Sequence, residues 1–586
     1  MKFNEYKYER PNFETISQEF KRLVETIQNS EAFLDALQAI KQLNKIQDEV
    51  YSMMALGYIR HTLDTRDEFY AAENDFWDEF SPQYEELFTD FYRGAVQSKH
   101  RSELEASLGS HYFSVLECKL KGFSPEIVED LKEESRLCSQ YSQLMASASF
   151  TFRGEELTAE GLGKYEEDPD RETRKEAQEL YWSFLETHED TIDGIFDQLV
   201  KVRDRMAKKL GYSNYVEMGY AKMERLDYGP QEVVIFRKQV LEDAVPLATK
   251  LFDWQRERLG LEKLEYFDLF VAYKDGNAVP KGSPEWIVEQ GKKMYAELSL
   301  ETKEFFDSLV ERDLLDLMNR PGKEGGGHCW TIDKYEAPFI FANFNGTSSD
   351  IDVLTHEAGH AFQSHLSRHI EMSVLRNASY DAQEIHSMTM EFLTWPWMDN
   401  FFKEDTAKYK FSHLAGAIQH MPFGIVVDEF QHMIYENPNL SPKERKAKWR
   451  ELERKYLPHK DYGDNAYLER GGLWLDIPHI FESPFYYIDY ILAQVCALQF
   501  WTRMQTNDET AWNDYLSLCR AGGTQSFLGL IKLANLKSPF EEGALADAME
   551  EASRWLEANP MSGKTFVSVE FERSSWRANQ MKLARG

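Results

Sequence analysis

The sequence predicts a mainly α-helical protein of two or more lobes with one small antiparallel sheet. Three observations carry that expectation. The chain has 586 residues, several times the length of a single core. Helix-start signals recur along it. One short stretch, 328–344, breaks the helical pattern with aromatic and β-branched residues.

The helix signals come first. Ser124-Pro125, Ser283-Pro284 and Ser441-Pro442 each suit a capping serine followed by proline at the first helical position. The third adds Glu444, completing a capping box. Asp168-Pro169 opens another segment in a similar way, and the first 270 residues read as consecutive amphipathic helices. Loops are expected at 272–284 and 318–327, where glycines 325–327 read as a flexible turn. HCWTIDKY and PFIFANF then form the expected hairpin, with Glu336-Ala337 between them and Asn345-Gly346 after.

Composition excludes several classes. Hydrophobic residues make up 42% and charged residues 28%, a globular balance. A formal net charge of -33 argues against nucleic acid or an anionic membrane as partner, since phosphate binding needs a basic surface. Five scattered cysteines form neither a disulfide framework nor a CxxC site. The N-terminal segment lacks an apolar signal-peptide core, and no uncharged apolar run of about 18 residues occurs. A cytoplasmic location is therefore expected. Oligomeric state leaves no mark in the sequence.

The chemistry begins at VLTHEAGHAFQ (353–363), straight after the hairpin. Ser349 and Asp352 give a helix-start signal, and Ile351, Leu354, Ala358 and Ala361 form one buried stripe. Gly359 costs roughly 1 kcal/mol against alanine inside a helix, so a bare backbone must be wanted there. On a helix His356 and His360 lie one turn apart, a spacing that lets two imidazoles reach one ion. Glu357, rotated by about 100°, can sit beside that ion and accept a proton from water. His-Glu-x-x-His arises by chance in about one chain in twenty-five of this composition, so a third ligand is needed.

SYDAQEIHSMTMEFLTWP (379–396) offers candidates. Glu384 and Glu391 are seven residues apart on one helical face, with Ile385, Met388 and Phe392 as the apolar stripe and Pro396 as the stop. Asp381 with Glu384 also reads as a helix cap, and Glu391 also reads as a solvated side chain. Farther on, PHIFESPFYYIDY (478–490) holds His479, Tyr486, Tyr487 and Tyr490, either oxyanion donors or a core stripe.

These three segments, in this order and spacing, resemble the thimet oligopeptidase and oligoendopeptidase F family of zinc peptidases. The likeness covers residues 200 to 580 well. It implies two helical lobes flanking a deep substrate channel, with the small sheet beside the zinc helix. It implies a division into an N-terminal helical region, 1–200, and a catalytic region, 201–586, sharing one interface. It implies one zinc ion held by His356, His360 and Glu384, with Glu357 as general base and Glu391 orienting a ligand histidine. His479, Tyr487 and Tyr490 take transition-state roles by the same likeness, and Tyr486 a substrate-binding one; which of Tyr486 and Tyr487 faces the zinc stays open. The implied activity is endopeptidase cleavage of short peptides. A zinc carboxypeptidase of related build is the alternative, and it would need a cation for the substrate's terminal carboxylate. A peptide bound as an added strand should use an edge within 335–344, with Cys329 a packed thiol nearby.

Overall fold

Helices account for most of the computed structural model, which describes residues 1–506 and 508–559. All three Ser-Pro signals hold: Ser124, Ser283 and Ser441 each accept a backbone N–H of the following turn. Ser441 and Glu444 form the reciprocal capping box. The 39-residue helix Arg171–Lys209 starts later than Asp168-Pro169 implied. Its cap is Asp170, which accepts from the N–H of Thr173.

The helical run is interrupted once before residue 270. Strands β1 (Phe150–Phe152) and β2 (Glu155–Leu157) form a hairpin through Arg153 and Gly154, whose φ values of 50° and 87° match the tight I′ turn.

The main sheet has three strands: β3 (Leu315–Met318), β4 (His328–Ile332) and β5 (Ala337–Phe344). The expected antiparallel hairpin is β4–β5, with Cys329 opposite Ile340. β3 joins β5 from the other side in parallel, giving the order β3-β5-β4. β5 is therefore central and almost wholly buried. An added strand has no edge to use within 337–344; the edge strands of this sheet are β3 and β4. Strand order is a tertiary choice, and the hairpin alone left the outer edge of β5 available.

Residue 200 lies inside helix Arg171–Lys209, and one buried apolar cluster runs from Tyr6 to Leu556. No described helix is long and apolar enough to cross a membrane.

Candidate metal centre

The motif helix, Ser349–Ser367, follows β5 directly. Its stripe of Ile351, Leu354, Ala358 and Ala361 is fully buried, which fixes the rotation of the helix and turns His356 and His360 to one side. Ser348 is its N-cap, one residue earlier than the Ser349 signal implied. The Asp350 carboxylate accepts from the N–H groups of Asn345 and Gly346 and braces the entry turn. Asp352 instead accepts from the Tyr409 hydroxyl at 2.6 Å.

The second helix, Tyr380–Leu393, crosses the first at Gly359. A Cβ there would lie 2.5 Å from the Cα of Ser387 and 2.7 Å from the carbonyl oxygen of His386. The two backbones touch, which is why the motif helix carries glycine at that position. The close approach brings Glu384 to the histidines. Its Oε2 lies 3.2 Å from Nε2 of His356 and 3.6 Å from Nε2 of His360.

Glu384 is thus no helix cap. Asp381 bonds Ser379, the N–H of Ala382 and the Tyr228 hydroxyl instead. Glu384 is 1% exposed, and its carboxylate accepts from Ser387 at 3.0 Å and from the Tyr486 hydroxyl. Burial pushes its pKa up, but His360 and His356 outweigh burial and hold it below the usual carboxylate range.

Glu391 is not a solvated residue either. One oxygen lies 2.7 Å from Nδ1 of His356 and the other 2.8 Å from Nε2 of His413, on helix Thr406–Glu436. The Trp395 indole N–H donates to Nδ1 of His413 at 3.2 Å. His413 therefore carries its proton on Nε2 and donates it to Glu391. Glu391 in turn accepts a hydrogen bond from Nδ1–H of His356, which turns Nε2 of His356 toward Glu384.

A divalent cation fits this donor set. Two imidazole nitrogens and a carboxylate oxygen lie within 4.8 Å of one another, the combination that zinc takes in catalytic sites. The metal-free electrostatics agree. Burial opposes a charged His356, yet bonds to Glu384 and Glu391 outweigh it and raise its pKa, so the surroundings favour positive charge at this point.

These groups line a cavity of about 650 Å³. Gly327 to Thr331 along β4 line it, as do Gln47, Tyr51, Met54 and Ala55 of helix Phe33–Leu63, which packs against β4 with the Tyr58 ring 4.9 Å from that of Trp330. A second cavity of about 570 Å³ shares Met54, Trp330, Tyr380, Ser483 and Tyr486 with the first, so the space continues past the metal centre. Glu357 faces the first cavity. Its Oε2 is buried without a hydrogen-bond partner, and burial pushes its pKa to about 8.

Of the aromatic cluster, His479, Tyr486 and Tyr490 line this cavity. His479 Nε2 lies 3.1 Å from the Tyr490 hydroxyl, and burial lowers the His479 pKa to about 4, keeping it neutral. Tyr486 reaches Glu384. Tyr487 points elsewhere, its hydroxyl 3.3 Å from His420 Nε2, and it does not line the cavity. Cys329 lines the cavity as a thiol that burial and then Glu357 hold well above its ordinary pKa, which disfavours redox reactivity. Glycines 325–327 form a pinned turn rather than a loose one. Gly326 donates to Glu160, and Asn343 bonds the carbonyls of Glu324 and Gly326.

Sequence reasoning missed His413, Trp395 and Asp352 as supports. No spacing rule links a histidine 22 residues beyond Glu391, on a different helix, to the metal.

Relatives share this architecture. The solved structure of PZ peptidase A with inhibitor 2 superposes with a TM-score of 0.94 at 51% identity, covering 95% of this chain and 99% of that one. Oligoendopeptidase-F from Enterococcus faecium shares the fold at 17% identity and a TM-score of 0.62, over 93% and 96% of the two chains. Group B oligopeptidase PepB of Streptococcus agalactiae is 21% identical over 570 residues, 88% of this chain and 90% of its own length. The peptidase M3 N-terminal domain matches residues 3–123, and the peptidase family M3 domain matches 164–550, the span that holds every residue of the metal centre. The chain belongs to peptidase family M3.

Proposed function

We propose that the protein is a zinc-dependent endopeptidase that hydrolyses internal bonds of short peptides. One observation carries the reading: His356, His360 and Glu384 converge on one point, with the unpartnered Glu357 carboxylate beside it, in a cavity bounded by an open strand edge. His356, His360 and Glu384 would hold the ion. When bound, zinc makes water a nucleophile near neutral pH and polarises the peptide carbonyl.

The protein's own groups supply the rest. The substrate lies extended along β4 and bonds its main chain to that edge. Glu357 accepts the proton of the attacking water and passes it to the leaving amine. Tyr490, held by His479, donates to the oxyanion. Tyr486 fixes Glu384, and Tyr487 takes no direct part in this geometry.

The cavities argue for internal cleavage. Among the described residues, the lysines that line them, Lys119 and Lys222, are each engaged by a glutamate, Glu224 and Glu134. Neither is free to hold a terminal carboxylate, as a carboxypeptidase requires. An end-blocked peptide tests this by mass analysis: internal fragments support the reading, and an uncut blocked peptide beside a trimmed free one overturns it. Glu357→Gln should lower kcat by about 10²–10⁴-fold with zinc content unchanged. Turnover near the parent rate would remove Glu357 from its role.

A further inference from the structure

Phe485 stands immediately before the tyrosines and is fully buried, yet its φ is +70°. A non-glycine residue enters this left-handed region only when its surroundings enforce it. Three contacts do so. The Phe485 N–H donates to Oε1 of Gln431 at 2.8 Å, and its carbonyl accepts from Nη2 of Arg225 at 2.5 Å. Its ring fills the space beside Gly219, where a Cβ would lie 2.6 Å away.

The clamp reaches both sides of the metal centre. Nη2 of Arg225 also bonds Asp489 at 2.7 Å, and the Asp489 N–H bonds the carbonyl of Tyr486. The Arg225 guanidinium lies over the Tyr228 ring, whose hydroxyl bonds Asp381 on the helix of Glu384. Backbone direction at Phe485 decides where the next side chains point. With φ positive, Tyr486 meets Glu384 and Tyr487 turns to His420.

We infer that Gln431 and Arg225 are positioning residues that hold Phe485 in its left-handed conformation and so select Tyr486, not Tyr487, as the hydroxyl bonded to the Glu384 carboxylate. The inference rests on the zinc reading for its functional meaning but not for its geometry. Through Tyr486 the clamp sets the orientation of the third metal ligand.

Zinc affinity, measured by chelator competition, is the readout. Gln431→Ala should weaken it by about 10-fold in the parent background, within the range expected for outer support of a ligand. In a Tyr486→Phe background the same change should have no further effect, because its route is already cut. Equal losses in both backgrounds, or no loss in the parent, would overturn the inference. A crystal structure of Gln431→Ala gives a metal-independent check: the Tyr486 hydroxyl should leave Glu384, and an unchanged pose would overturn the inference. A parent protein that binds no zinc defeats the functional reading instead, and the crystal structure still decides the positioning.

Discussion

At His413 the indole N–H of Trp395 leaves a single ring nitrogen to carry the proton, and the orientation of His356 follows from that. His413→Phe removes the donor to Glu391 while keeping much of the ring volume. Zinc affinity should fall by about 10–100-fold, and kcat at saturating zinc should change less, both read by chelator competition and kinetics. Unchanged affinity would leave His413 as packing only. The residues legible in the sequence were those joined by local spacing. His356 and His360 follow from one helical turn, and Glu384 with Glu391 from two. His413 was not legible, because its bond to Glu391 joins two helices. Tyr486 and Tyr487 could not be told apart either. Adjacent residues exchange directions with the φ of Phe485, an angle held by Gln431, Arg225 and the space at Gly219 rather than by local sequence.

Between elements, the crossing at Gly359 is the tightest constraint on the site. Alanine should favour a helix by roughly 1 kcal/mol. Here its Cβ would meet backbone atoms of the Tyr380–Leu393 helix, which cannot swing aside. Overpacking wins, so Gly359→Ala should lose about 1–3 kcal/mol of stability and weaken zinc binding, seen in thermal melts and chelator competition. Asp268 makes a second test. It is fully buried and bonds Arg171 at 2.8 Å and Arg174 at 2.7 Å, both on the first turn of helix Arg171–Lys209. Burial pushes its carboxyl up, but the two guanidinium groups outweigh burial and hold its pKa below the ordinary 3.8. The resulting stability is fully present above that ordinary value and is lost as pH falls through the lower folded value. Asp268→Asn should cost about 3–5 kcal/mol at neutral pH and flatten that acid limb in denaturation measured against pH. Helix starts were legible because caps are local chemistry. The place of β3 beside β5 was not, because parallel pairing carries no turn signature.

At the scale of the molecule, the site is a space between distant parts of the chain. Helix Phe33–Leu63 packs beside β4 and lines the same cavity, so residues far from the motif help to define what can enter. The two cavities share Met54, Trp330, Tyr380, Ser483 and Tyr486, so they run into one another. Helix-start signals foresaw a mainly helical body. They gave no sign that the N-terminal helices would wall the metal centre, since burial across 300 residues of separation has no local pattern.

The unpaired edge of β4 has one more implication. A ligand that completes a sheet is read through its amide groups, which are the same whatever the side chains, so the enzyme should tolerate wide variation in sequence and little in backbone chemistry. Methylating single amide nitrogens along a good substrate should abolish cleavage at alternate positions only, following the two-residue repeat of an extended chain. A scan of singly methylated peptides with no such alternation would mean that the partner strand is held some other way.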